Sequence, residues 1–244
     1  MPDGVSPGDL IPLILAGGLG TRIAHLHPGL PKPAVPVAGR PFLAWILGQL
    51  CEAGFTRAVV SSGHLAQRLC DEISPWVPDS MEIRWIPEDA PLGTGGGAAH
   101  AARDSGFCPK AWLLLNGDSW LAGNWIPELL TVPAGDMAII AREVDDTSRY
   151  GHLVSEGGKL VRFAEKKGTG PGLINAGIYR IPADWMAGIP STGPSSLESD
   201  WIPRWLVERR SVRLVRWEGE FLDIGTPDSL RDAGSFMLKH GPTR

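Results

Sequence analysis

Short apolar runs separated by helical spacing set the pattern of the first half of this chain. Ile11–Leu15, Arg57–Ser61, Glu82–Ile86 and Ala111–Leu115 each read as a strand. Residues 11–15 and 111–115 show no polar alternation, as expected of strands covered on both faces. Between these runs the period changes. Residues 41–54 place Phe42, Trp45, Ile46, Gln49, Leu50 and Ala53 at helical spacing, with Pro41 suited to a first turn and Gly54 to a stop. Leu65–Ile73, ending before Pro75, and the Ala-rich Gly95–Arg103 also predict helices. Strand and helix alternate to about residue 130, the signature of a parallel α/β sheet. Beyond it, Met137–Arg142, His152–Val154, Leu160–Phe163, Ile174–Ile181 and Val212–Trp217 read as strands with fewer helices between them. They predict an added antiparallel section. Pro2–Asp9 is polar and turn-rich, a loose leader over residues 1–10 before one domain over 11–244.

Composition narrows the classes. With 244 residues, 43% of them hydrophobic and 20% charged, the chain is globular and needs no disulfide staples. The 31 Gly and 22 Pro are scattered among apolar runs and mark turns. A net charge of −4 gives no basic surplus for a nucleic-acid partner. Cys51, Cys70 and Cys108 lack any metal-ligand spacing and read as free thiols of a reducing compartment. No apolar stretch reaches the roughly 18 residues of a membrane span, and Met1–Val5 carries no basic n-region, so a cytoplasmic protein is expected.

The chemistry gathers where strands end. Leu15-Ala16-Gly17-Gly18-Leu19-Gly20-Thr21-Arg22 follows a buried strand, and Pro31-Lys32-Pro33 comes shortly after. Adjacent glycines let backbone N–H groups approach a phosphate, while Arg22 and Lys32 add positive charge. The spacing is neither Gly-x-x-x-x-Gly-Lys-Ser/Thr nor Gly-x-Gly-x-x-Gly, so it is no Walker loop and no dinucleotide fingerprint. Asp118 ends a second buried strand, and Asp223 stands in Phe221-Leu222-Asp223-Ile224-Gly225. Ligands of open α/β sheets bind at the carboxyl ends of strands, which puts the glycine loop and Asp118 at one edge.

The run from Leu13 to Arg22, LILAGGLGTR, followed by LPKPAVPVAGRPFL, resembles the sugar-1-phosphate nucleotidyltransferases, also called NDP-sugar pyrophosphorylases. The resemblance continues through Pro91–Gly96, Asn116-Gly117-Asp118, Phe163-Ala164-Glu165-Lys166, Asn175–Tyr179 and Asp223–Pro227. It implies a Rossmann-like, mostly parallel sheet flanked by helices with a smaller antiparallel sugar-binding section. The nucleotide half would span about 11–135 and the sugar-phosphate half about 136–244. The implied reaction is NTP + sugar 1-phosphate → NDP-sugar + pyrophosphate, by in-line attack and without a covalent intermediate. Positioning and charge neutralisation would carry it. By the same resemblance Arg22 steadies the leaving pyrophosphate, Lys32 serves the α-phosphate, Asp118 and Asp223 hold Mg²⁺, and Lys166 grips the phosphate of the sugar. Lys167 stands where relatives often have proline and is an alternative to Lys166. Gly151, Glu165 and Asn175 match acceptor-binding positions, and Ser196-Leu197-Glu198 with Asp200 resembles a further segment near the acceptor pocket. Trp120, two residues after Asp118, is a candidate for the sugar pocket. Trp201 and Trp205 could shape that pocket or a subunit contact, whereas Trp45 and Trp112 fit core packing.

Leu15, Ala16, Gly17, Gly18, Gly20 and Thr21 match the nucleotide loop, and Glu88, Pro91, Gly93 and Thr94 match the base-reading segment. Thymidylyl- and uridylyl-transferring relatives commonly carry Gln at the position of Glu88. A carboxylate accepts only, which suits the adjacent N1–H and N2–H₂ donors of guanine and repels the carbonyls of uracil or thymine. GTP is therefore the expected nucleotide. The loop Glu88–Gly96 and Asn116–Trp120 resemble the D-glycero-α-D-manno-heptose 1-phosphate guanylyltransferases. Mannose-1-phosphate guanylyltransferases, which share part of the loop, and N-acetylmuramate or hexose-1-phosphate uridylyltransferases are the alternative readings. A non-catalytic sugar-nucleotide sensor is the alternative of another class, and the presence of Arg22, Lys32, Asp118, Lys166 and Asp223 weighs against it. The family often forms homo-oligomers.

Overall fold

The computed structural model describes residues 5–148, 150, 152–164 and 170–242. In chain order the elements are β1 (Leu10–Ala16), β2 (Pro36–Val37), β3 (Arg40–Pro41), α1 (Phe42–Glu52), β4 (Arg57–Ser62), α2 (Ala66–Ile73) and β5 (Glu82–Pro87). Then come α3 (Gly93–Asp104), β6 (Ala111–Asn116), β7 (Ser119–Leu121), α4 (Ile126–Leu130), β8 (Met137–Val144), β9 (His152–Glu156), β10 (Lys159–Ala164) and β11 (Gly172–Pro182). The chain ends with α5 (Ala183–Ala187), a π-helical turn at Leu197–Trp201, α6 (Ile202–Val207), β12 (Val212–Arg216), β13 (Phe221–Asp223) and α7 (Pro227–His240).

Nine strands form one sheet in the order β5-β4-β1-β6-β11-β8-β12-β10-β9. The first four run parallel, as the strand–helix alternation predicts. The expected antiparallel section is found, continuous with the parallel one. β11 lies antiparallel to β6 and to β8, and β12 returns parallel beside β8. β9 also pairs with β11 at His152–Ile174, so five strands of the second half form a ring. A long β11 makes this possible. It slips register between Asn175 and Tyr179, bending from one set of partners to the other.

Consecutive apolar residues serve opposite faces. Ile14, Val60, Leu113 and Ile140 join one buried cluster, and their neighbours Leu13, Val59, Leu114 and Ile139 join the other. Both faces are covered, which is why these strands show no polar alternation. Truncating fully buried Ile14 to Ala would destabilise by about 2–5 kcal/mol.

Local chemistry sets the helix ends. α2 begins one residue later than its apolar spacing suggests, because Leu65 stands in the left-handed region with φ 63°. α7, which apolar spacing alone does not announce, is started by Thr226, whose hydroxyl accepts from Ser229 N while Ser229 reaches back to Thr226 N. Among the described residues no helix is long and apolar enough to cross a membrane.

Candidate active site

The carboxyl ends of β1 and β6 open into a cavity of about 300 Å³. Gly117 N donates to Leu15 O at 2.9 Å, tying the loop after β6 to the end of β1. The cavity wall is built from Leu15–Leu19, from Lys32 and Pro33, from Glu88, Pro91, Gly93 and Thr94, and from Asn116–Asp118.

Glu88 follows β5 and is half-buried. Its Oε1 accepts from Ser61 Oγ at 2.9 Å and its Oε2 from Leu92 N at 3.0 Å. A Cβ on Gly97 would lie 2.6 Å from that Oε1, so any larger residue there would push the carboxylate from this position. Two protein donors thus hold the carboxylate in place, and each oxygen keeps a further lone pair.

On the other side of the loop, Lys32 Nζ lies 2.6 Å from Asp118 Oδ2. β13 pairs with β7, setting Asp223 opposite Ser119, and Ile224 N donates to Asp118 O at 3.0 Å. The two aspartates therefore stand at the ends of neighbouring strands. Asp223 Oδ1 accepts from Gly225 N at 2.8 Å, and Oδ2 accepts from the Tyr150 hydroxyl. Arg22 Nη2 and Lys32 Nζ each lie 3.4 Å from the point a Cβ on Gly225 would occupy.

Behind the cavity a hydrogen-bonded chain joins the two halves of the fold. Thr94 Oγ1 donates to Glu198 Oε2 at 2.7 Å and accepts from Leu197 N at 2.8 Å. Tyr179 donates to Glu198 Oε1 at 2.7 Å and accepts from Asn175 Nδ2 at 2.5 Å. Burial, with the Glu198 carboxylate beside it, raises the Tyr179 phenol well above its ordinary pKa, so it stays a donor. Gly93 stands at φ 70°, and a Cβ there would be 2.5 Å from Ser195 O; only glycine lets residues 193–197 lie this close to the start of α3.

The fold brings Leu15, Ala16, Gly17, Gly18, Lys32, Glu88, Pro91, Gly93, Thr94 and Asp118 to one cavity. Gly20 lies against Lys32 just outside it, and Thr21 and Arg22 are exposed in the turn that follows. Asn175 is not in the wall; its amide is bound to Tyr179 and its oxygen to Gly177 N. Trp120 is a correction: it is 2% exposed and packs in the core, beside Leu121 and opposite Leu222 of β13. Trp205 is buried against Trp185, and Trp201 packs beside it with Nε1 on Ser195 Oγ. Gly151, Glu165, Lys166 and Lys167 lie outside the described residues. Sequence reasoning did not assign Ser61, Tyr150 or Tyr179, which act through partners distant in the chain. Asn116 and Gly117 were within a recognised motif, yet only their neighbour Asp118 was given a role.

The chain is similar to known proteins over most of its length. The chain is 25% identical over 224 residues to the D-glycero-alpha-D-manno-heptose 1-phosphate guanylyltransferase of Aneurinibacillus thermoaerophilus, covering 91% of this chain and 95% of that protein. It is 30% identical to the mannose-1-phosphate guanyltransferase 2 of Candida glabrata over 92% of this chain, which spans only 64% of that relative's length. The structure of HddC from Yersinia pseudotuberculosis, solved also as a complex with GMP-PN, superposes with TM-score 0.82 at 29% identity, over 93% of this chain and 98% of that one. A solved structure from Bacillus anthracis shares the fold at TM-score 0.80 and 20% identity, over 93% of this chain and 94% of that one. The nucleotidyl transferase family model matches residues 11–240, which take in the glycine loop, the Glu88 segment and both aspartates, and the chain therefore belongs to that family.

Proposed function

We propose that this chain transfers a guanylyl group from GTP to a sugar 1-phosphate, giving a GDP-sugar and pyrophosphate. The observation that supports it most is a single cavity in which a glycine loop, Lys32, Asp118 and the braced Glu88 carboxylate meet. Glu88 would accept from the N1–H and N2–H₂ edge of guanine. Backbone N–H groups of residues 17–20 would take the phosphates, with Arg22 on the leaving pyrophosphate and Lys32 where charge develops on the α-phosphate. Lys166 would hold the sugar phosphate, and Gly151, Glu165 and Asn175 the sugar. The acceptor phosphate is already anionic at neutral pH, so no general base is required.

Mg²⁺ fits the donor set. Asp118 and Asp223 offer hard oxygens from neighbouring strand ends, and among the described residues no sulfur or imidazole lines the cavity. Among the described residues no group of three or more His, Cys, Asp or Glu could enclose an ion; in this reading phosphate oxygens and water would complete the coordination. Asp118 and Asp223 would hold the ion, and when bound it would offset phosphate charge.

The proposed acceptor is D-glycero-α-D-manno-heptose 1-phosphate. Mannose 1-phosphate has equal support, since relatives with both names match at similar identity. A matrix of GTP, ATP, CTP, UTP and dTTP against these two acceptors and glucose 1-phosphate, read by pyrophosphate release, tests both levels. GTP with a manno-configured acceptor should react fastest. Preference for UTP or dTTP overturns the role of Glu88, and no release from any pair leaves the sugar-nucleotide sensor.

A further inference from the structure

At the mouth of the cavity, charges of opposite sign are paired with one another. Lys32 Nζ is on Asp118 Oδ2 at 2.6 Å, with the Lys32 side chain only 10% exposed. Asp223 is held through both oxygens, by Gly225 N and by Tyr150. Lys32 Nζ, Arg22 Nη2 and Asp223 Oδ1 all surround the open face of Gly225, at 3.4, 3.4 and 2.5 Å from where its Cβ would be. Two cations and two carboxylates thus share one small volume.

A divalent ion approaching Asp118 in this state must displace an ammonium at hydrogen-bond distance and then remain close to it. Short charge-assisted bonds of this kind are about twice as strong as neutral ones, and the Lys32 end of the pair is shielded from water. We infer that Lys32 is a resident counter-ion that occupies Oδ2 of Asp118 until nucleotide phosphates draw it away. Lys32 thereby has two successive partners, Asp118 before the nucleotide binds and a phosphate afterwards. Free protein then has low affinity for divalent ions, and Asp118 becomes available only once Lys32 has a phosphate to hold. Why Lys32 leaves rests on the transferase reading; what it holds beforehand does not.

The test is a Mn²⁺ titration of nucleotide-free protein, read by the electron paramagnetic resonance signal of unbound Mn²⁺. Lys32→Met and, independently, Lys32→Gln keep the stem that packs beside Gly20 and remove the ammonium. Both should bind Mn²⁺ about tenfold or more tightly than the parent, the lower end for losing a charge-assisted competitor. Adding Asp118→Asn should abolish the gain. Unchanged or weaker Mn²⁺ binding in the two folded variants overturns the inference, and so does a gain that survives Asp118→Asn. Failure of the transferase reading would show separately, as absence of pyrophosphate release, and leaves this titration readable.

Discussion

Replacing Glu88 by Gln isolates the chemistry of base recognition from the architecture of the loop. The two carboxylate oxygens accept from Ser61 Oγ at 2.9 Å and Leu92 N at 3.0 Å. Gln is nearly isosteric and can keep both contacts. Its oxygen can face Leu92 N, and its amide can donate to Ser61 Oγ, which is able to accept. The folded protein loses only charge assistance, about 1 kcal/mol, the difference between ionic and neutral hydrogen bonds. Guanine loses more. In the proposed role two acceptor oxygens would face N1–H and N2–H₂, and in the Gln variant one position becomes a donor facing a donor. Losing one ionic hydrogen bond and gaining that clash should lower kcat/KM for GTP by about 10- to 100-fold. The same amide can pair with a carbonyl of uracil, so kcat/KM for UTP should rise and the preference should narrow or invert. Kinetics with GTP and UTP against one accepted sugar phosphate, with thermal melting of the same samples, separate the effects. A Gln variant that melts like the parent and keeps its GTP preference would refute base reading and leave Glu88 as a brace for residues 88–92.

Four other changes probe the rest of the molecule. Asp118→Asn should lower Mg²⁺-dependent kcat by about 100-fold or more, measured by pyrophosphate release across a Mg²⁺ titration. Trp120→Phe should destabilise the core by about 1–3 kcal/mol in urea denaturation while kcat/KM stays within about twofold, because Trp120 is buried away from the cavity and its indole N–H has no partner among the described residues. Tyr179→Phe breaks the link from Glu198 to Asn175 and should cost about 1–3 kcal/mol in the same assay. Asp9, which the Ser6 hydroxyl, the Ser6 backbone and Lys110 together hold at about 2 rather than 3.8, contributes stability above pH 4 that is lost as the pH falls through about 2. The melting temperature of Asp9→Asn should therefore lie below the parent's at pH 5 and meet it near pH 2.

What the sequence disclosed and what it withheld follow one physical line. The parallel half was legible because strands covered on both faces must be apolar throughout, so β1 and β6 stand out as runs that end in glycine-containing turns. The same reasoning located Gly17, Lys32 and Asp118, since each follows a strand or loop whose position the pattern dictates. Pairings over long separations were not legible. Ser61 meets Glu88 across 27 residues, Lys32 meets Asp118 across 86, and Thr94 meets Glu198 across 104. Each has ordinary surface-compatible partners in the sequence, and only the fold selects among them. Trp120 differs for a related reason: it stands two residues after Asp118 along the chain, but pairing of β7 with β13 packs it into the core with Leu121 and Leu222. The site residues that sequence can assign are therefore those whose backbone must be at the strand ends. Those that act through a side-chain partner become visible only when the chain is folded.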